Sequence, residues 1–133
     1  MSKKVPVLGV CVGFQIMAKS SEEGSLDGLG WINATVKKFD LDVSRYPLPH
    51  MGWNEIEINK KNSLVHQLPE NPEFYFLHSY YVKCENQDDI IAQTKYDKNF
   101  VSLANYENIY GCQPHPEKSH QNGIRFLQNF GEL

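Results

Sequence analysis

The feature that most constrains this chain is a corner near its start. The apolar, β-branched run Val5 to Val10 enters Gly9-Val10-Cys11-Val12-Gly13 and passes into a segment whose apolar content, Phe14, Ile16, Met17 and Ala18, suits a helix. Such a run reads as a strand buried on both faces. The corner then reads as a cysteine displayed at a sharp strand-to-helix turn. Small neighbours are expected there, because the turning residue takes strained backbone angles. A helix N-terminus beneath the thiol favours thiolate over thiol. Its free amides, Val12 N–H first, are placed to donate to a developing oxyanion. The competing reading is an ordinary buried cysteine on a connection.

His115-Pro116-Glu117, near the other end, bears on that choice. His115 precedes a proline, which keeps it out of the helical region. Residues two apart on an extended chain face the same side. The Glu117 carboxylate can thus hold one imidazole nitrogen and leave the other for Cys11, giving a nucleophile, a base and a group that orients the base. The alternative is a surface loop with an incidental histidine.

The remaining chemistry is sparse. His115 and His120 are five apart without an HExxH or a Cys/His pairing, and no Rossmann or Walker glycine loop is present, so neither metal nor other cofactor is expected. His50, His66 and His78 read as structural or substrate-lining histidines. Cys11, Cys84 and Cys112 are an odd count without CxxC spacing, which favours free thiols and a reducing cytoplasm over a disulfide framework. The net charge of -3 and the lack of a basic stripe give no reason to expect nucleic acid. Lys3-Lys4 before an apolar run superficially resembles a secretory signal. Pro6, Gln15 and two glycines interrupt that run, and it is too short to cross a membrane.

The length of 133 residues fits one domain, residues 1–133. After a glycine-rich loop up to Gly30, Trp31 to Phe39 reads as a strand, and 40–52 as irregular, ending in a stiff Pro47-Leu48-Pro49 segment. Trp53 to Ile58 alternates as a half-exposed strand. Ser63 to Leu68 makes a helical turn or two, and Phe74 to Val82 is one strongly β-prone strand. Ile90 to Tyr96, Phe100 to Tyr106 and Ile109 to Gln113 follow as strands joined by turns short enough for antiparallel hairpins. A helix from about Gln121 to Phe130 closes an α/β chain with a β-rich middle.

Cys11, the PHMGWN segment (Pro49 to Asn54), the FYFLHSYYV run and the HPEKS loop, in this order, resemble the class I (triad) glutamine amidotransferases. The likeness is greatest to the glutaminase subunits of imidazole glycerol phosphate synthases in histidine biosynthesis. It implies a flavodoxin-like α/β fold with a mixed sheet whose later strands are antiparallel. It also implies hydrolysis of glutamine to glutamate and ammonia, with Cys11 as nucleophile, His115 moving protons and Glu117 holding His115. By motif position Val12, Gln15, Glu23, Ser79 and Tyr80 would contact glutamine. Met51, Trp53, Tyr75 and Lys118 would face a synthase subunit with a cyclase-type barrel. A plain reading makes Trp53 and Tyr75 core aromatics.

Two departures from the family pattern carry expectations of their own. Only Met1 to Lys4 precede the cysteine-bearing strand, where the family has several β–α units and a glycine-rich loop that completes the oxyanion hole. The expectation is an N-terminally truncated fold with the Val5–Val10 strand exposed along one edge. Pro114 stands where the family has an aromatic, stiffening the loop before His115. The resemblance therefore leaves two alternatives to the histidine-pathway glutaminase: a catalytically impaired binding or structural remnant, and an ammonia donor to a sugar-amidating synthase.

Overall fold

The computed structural model describes residues 5–22 and 27–133. Among these residues, ten strands and two helices follow in the order β1 (Val7–Val10), α1 (Val12–Ile16), β2 (Ser20–Ser21), β3 (Ala34–Lys38), β4 (His50–Glu55), β5 (Glu57–Ile58), β6 (Glu73–His78), β7 (Tyr80–Cys84), β8 (Ile90–Tyr96), β9 (Lys98–Tyr106), β10 (Ile109–Cys112) and α2 (His120–Gly131). Three-residue 3₁₀ turns sit at Ser63–Val65, Gln87–Asp89 and Pro116–Lys118.

A five-stranded sheet in the order β1-β10-β9-β8-β5 is the scaffold. β1 runs parallel to β10, and every later pair in that sheet is antiparallel. The mixed α/β sheet is thus as the sequence suggested. β1 is an edge strand among the described residues, and only Gly9 in it is buried, so the expectation of a strand covered on both faces does not hold. The strand also begins at Val7, leaving Val5 73% exposed.

Two smaller sheets cover the faces. β2-β3-β7 packs with α1, burying Phe14, Met17, Val36 and Val82 against Val101 and Ala104 of β9. The β4–β6 ribbon packs with α2, burying Phe74, Phe76 and Phe126 against Phe100 and Leu103 of the same strand. Strict alternation would place Val101 and Leu103 on one face. They lie on opposite faces because Gln93 pairs Val101 while Ala92 pairs Leu103, leaving Ser102 as the extra residue of a bulge. On the other edge of β9 the Ser102 carbonyl accepts the Gln113 N–H at 2.9 Å, which continues the β9–β10 register one residue beyond Cys112.

Several boundaries differ from the sequence reading. Phe74 to Val82 is two strands in two different sheets, divided at Ser79. The irregular stretch ends earlier than expected, since β4 already starts at His50, and Trp31 to Asn33 lie outside β3. The hairpins between β8 and β9 and between β9 and β10 form as read, the first around Asp97 alone in left-handed backbone (φ 64°). α2 covers the expected C-terminal helix and begins one residue earlier.

Candidate active site

Cys11 sits at the junction of β1 and α1 with φ 54° and ψ -107°, the strained corner that the glycine-flanked cysteine implied. The two flanking glycines play different parts. A Cβ on Gly9 would lie 2.7 Å from the Gly13 backbone, whereas one on Gly13 would meet nothing within 4 Å. On the next strand, Gly111 lets the Phe14 ring lie flat on the sheet, since a Cβ there would fall 2.0 Å from a ring carbon. The corner is close-packed on its strand side and open on its helix side.

The parallel pairing of β1 and β10 brings the two ends of the chain together. Val10 pairs Cys112, and the Cys11 N–H donates to the Cys112 carbonyl at 2.7 Å, so Cys11 and the loop after β10 leave the same end of the sheet. β6 then gauges their separation. The Cys11 thiol donates to the Leu77 carbonyl at 3.6 Å, and the His115 N–H donates to the Tyr75 carbonyl at 2.8 Å. The Cys11 sulfur and the His115 main chain thus contact β6 at carbonyls two residues apart, about 7 Å along the strand.

His115 Nδ1 lies 2.6 Å from Glu117 Oε1, which leaves Nε2 free. The contact expected from sequence is present, by a different route. His115 is extended (φ -100°, ψ 95°), but Pro116–Lys118 turns into a 3₁₀ helix, and Glu117 reaches back from that turn. Ser119, which sequence reasoning passed over, locks the loop. Its hydroxyl donates to the His115 carbonyl at 2.6 Å and accepts the Tyr75 N–H at 2.9 Å. α2 presses on the same loop so closely that a Cβ on Gly123 would fall 1.8 Å from the Pro116 carbonyl oxygen.

The resting cysteine is a thiol, contrary to the expected preference for thiolate. Burial pushes the Cys11 thiol above its ordinary range and the Glu117 carboxylate adds to this, against the opposing pull of hydrogen bonds from the Val12 amide and the Gln113 side chain. A five-residue α1 and a side chain 8% exposed leave the helix end too weak to prevail over desolvation. Of the other two thiols, burial raises Cys84 to about 12 and Cys112 well above its usual value. Cys11 is the thiol that carries hydrogen-bond donors toward its sulfur.

The remaining residues named from the family pattern fall into two groups. Gln15, on α1, is buried and donates to the Tyr80 carbonyl at 3.1 Å and to Gln113 Oε1 at 3.2 Å. Val12 is exposed beside the cysteine, Ser79 lies between β6 and β7, and Tyr80 opens β7. Glu23 lies outside the described residues. Met51, Trp53, Tyr75 and Lys118 gather on the outer side of the β4–β6 ribbon. Met51 is 63% and Trp53 47% exposed, so Trp53 is a surface rather than a core aromatic. Trp53 meets Tyr75 edge-on with ring centres 6.0 Å apart, and Lys118 Nζ sits 5.9 Å above the Tyr75 ring. His120 joins this group with its ring 5.1 Å from Trp53.

His50 and His78 are buried and bonded to each other. His78 Nδ1 donates to the Tyr80 carbonyl at 2.8 Å, so its Nε2 accepts from His50 Nδ1 at 3.0 Å, and His50 Nε2 accepts from Asn54 at 3.3 Å. Burial lowers His50 to about 4 and His78 to about 3, which keeps both neutral. They are structural histidines, one of the two roles the sequence left open. A surface depression of about 1230 Å³, lined by Lys60, Lys61 and Asn129 among others, shares no residue with the surroundings of Cys11.

The sequence model of the family "Glutamine amidotransferase class-I" matches residues 1–132. This chain belongs to the class-I glutamine amidotransferases. Among its relatives, the amidotransferase chain is 55% identical over 135 residues to the "Imidazole glycerol phosphate synthase subunit HisH" of Leptospira borgpetersenii, covering all of this chain and 66% of that one. It is 48% identical over 130 residues to "Imidazole glycerol phosphate synthase subunit HisH 2" of Methanococcus maripaludis, covering 98% of this chain and 64% of that relative. The amidotransferase chain therefore spans a little under two thirds of the length of these relatives.

Solved structures agree on the fold. A putative GMP synthase subunit from Thermoplasma acidophilum superimposes with TM-score 0.71 at 24% identity, over 94% of this chain and 55% of that one. A glutamine amidotransferase from Thermotoga maritima gives TM-score 0.63 at 16% identity, over 96% of this chain and 47% of that one.

Proposed function

We propose that this amidotransferase chain is the glutaminase part of an imidazole glycerol phosphate synthase, with Cys11, His115 and Glu117 as its triad. The observation that carries the proposal is the 2.6 Å contact of Glu117 with His115 Nδ1, on a loop that the Tyr75 carbonyl holds beside the Cys11 corner. The kinship to HisH subunits supports the choice of synthase.

The reaction follows from the atoms available. His115 Nε2 takes the Cys11 proton, and the sulfur attacks the glutamine side-chain carbonyl. The imidazolium, steadied by Glu117, protonates the departing nitrogen, so the C–N bond breaks, ammonia leaves and a γ-glutamyl thioester remains. The same imidazole then deprotonates a water that cleaves the thioester, releasing glutamate and the thiol. A neutral resting thiol suits this sequence, because the proton is already on the sulfur when the base needs it. Val12 N–H is the first donor to the developing oxyanion. Gln15, Glu23 and the backbone of Ser79 and Tyr80 hold the substrate.

The exposed Met51–Trp53 stripe, with Tyr75 and Lys118, is the proposed docking face for a synthase subunit with a cyclase-type barrel. Clustered exposed aromatics of this kind suit an interface better than a free surface. Among the described residues no helix is long and apolar enough to cross a membrane, and three free thiols fit a reducing cytoplasm. The deciding experiment is ammonia release from glutamine, measured with and without the synthase subunit. Turnover that depends on Cys11 and rises with the partner supports the proposal. A folded chain that binds the partner and releases no ammonia supports a binding remnant instead.

A further inference from the structure

Gln113 has no place in the triad, yet it is fully buried at the end of β10 and its side chain touches the nucleophile. A buried primary amide must be accounted for at both ends. The orientation of this one is fixed from outside. The Tyr80 carbonyl can only accept, so the Gln15 nitrogen faces it at 3.1 Å. The second proton on that nitrogen requires an acceptor, and it meets Gln113 Oε1 at 3.2 Å. The Gln113 nitrogen is therefore the end that faces Cys11, 3.6 Å from Sγ. Behind it the main chain is pinned by β9, where the Ser102 carbonyl accepts the Gln113 N–H at 2.9 Å and extends the β9–β10 register.

We propose that Gln113 is a positioning residue for the nucleophile, with Gln15 locking its carboxamide so that an N–H is aimed at the Cys11 sulfur. The Leu77 carbonyl, 3.6 Å from the same sulfur, accepts from a thiol and repels a thiolate. Gln113 supplies the opposite preference. Its donor strengthens as negative charge collects on sulfur, and hydrogen bonding to the charged form of a group favours that form. The arrangement holds the sulfur between a proton acceptor and a proton donor, ready to ionise when the base removes its proton. This role deepens the glutaminase reading and rests on Cys11 being the nucleophile.

The test needs no glutamine, so its failure is distinct from failure of that reading. Iodoacetamide alkylation of the full chain is followed against pH, with the Cys11, Cys84 and Cys112 peptides quantified separately by mass spectrometry. In Gln113→Leu the Cys11 midpoint is expected to rise by about one pH unit, which makes alkylation near pH 7 about tenfold slower. Cys84 should be unmoved. Gln15→Leu, which removes the lock and keeps the donor, should shift the Cys11 midpoint in the same direction by less. An unchanged Cys11 midpoint in folded Gln113→Leu overturns the proposal. Should that variant fail to fold, the wild-type chain decides: the Gln113 side-chain amide resonance must titrate with the Cys11 midpoint, and an amide that ignores the titration overturns the proposal as well.

Discussion

Tyr75 and His115 meet in an isolated antiparallel bridge, the His115 N–H donating to the Tyr75 carbonyl at 2.8 Å. This contact carries the proposed base from the end of one sheet to the strand whose Leu77 carbonyl touches the Cys11 thiol. Ser119 closes the bridge into a triangle by bonding both residues. Ser119→Ala should leave the Tyr75 N–H without its partner and free the His115 carbonyl. The expected cost is about 1–2 kcal/mol of stability, with a fall in kcat of about tenfold or more from a loosened imidazole. Urea unfolding and ammonia-release kinetics on the same preparation check both numbers. Full activity at reduced stability would show that the triangle braces the fold without aiming the base.

Cys11→Ala should abolish ammonia release and leave the melting temperature near that of the parent, because the side chain lost is small and its contacts with the Leu77 carbonyl and Gln113 are long, at 3.6 Å. His115→Ala should lose at least a hundredfold in kcat. His50→Ala should do far less to turnover. It should be costly in stability instead, since His50 is 3% exposed, stacks on Tyr96 with ring centres 4.1 Å apart and bonds His78. Equal kinetic losses for His50→Ala and His115→Ala would mean that the base has been assigned to the wrong histidine.

The corner glycines should respond unequally. Gly9→Ala forces a Cβ to within 2.7 Å of Gly13 backbone atoms that the turn holds in place, and should destabilise by about 1–3 kcal/mol. Gly13→Ala enters open space on a helix and should be neutral or slightly stabilising in thermal unfolding. Similar losses at both positions would contradict the described packing of the corner.

The buried histidine pair predicts acid sensitivity well above the carboxylate range. Burial holds His50 to about 4 and His78 to about 3, both below the ordinary histidine value of 6.5. As pH falls, the unfolded chain takes up these protons first, so the pair's contribution is complete above about pH 6.5 and is lost as pH drops toward 4 and then 3. The displacement at His50 alone corresponds to about 3 kcal/mol. Urea unfolding between pH 7 and 4.5 should show stability falling steeply, and a His50→Phe variant should flatten that slope. A parent whose stability is level from pH 7 to 4.5 would show that the pair is not buried and neutral.

How much of this was legible in the sequence depends on how local each signal was. The strand-corner-helix around Cys11, the two late hairpins and α2 are each set by one short, continuous stretch of sequence, and these came through. The partners of the His115–Glu117 contact were legible too, although Glu117 reaches His115 from the 3₁₀ turn and not along an extended run. The division of Phe74 to Val82 was hidden. Its β-propensity is continuous, and only the departure of the chain to a second sheet at Ser79 separates β6 from β7. The His50–Gly52 strand was hidden by neighbouring prolines and by Gly52, which adopts φ 120° while still pairing with Phe76.

The state of the cysteine was misjudged for a related reason. A helix end can be read from local sequence, whereas the depth of burial that outweighs it depends on α1, β6 and β10 arriving together. Gln113 left a faint trace, a polar residue two before the candidate base at the end of an apolar strand. Only the parallel register of β1 with β10, which spans almost the whole chain, turns that position into a neighbour of Cys11.

The central claim is that Cys11 and His115 act as one unit on a glutamine-like carbonyl. The most direct measurement is covalent labelling by a glutamine analogue bearing an electrophile at the side-chain carbonyl, mapped by peptide and timed in the parent and in His115→Ala. Cys84 and Cys112, held high by burial, should stay unlabelled while Cys11 reacts, and loss of His115 should slow that reaction at least a hundredfold. Labelling spread over all three cysteines, or a Cys11 that reacts as fast without His115, would contradict the account.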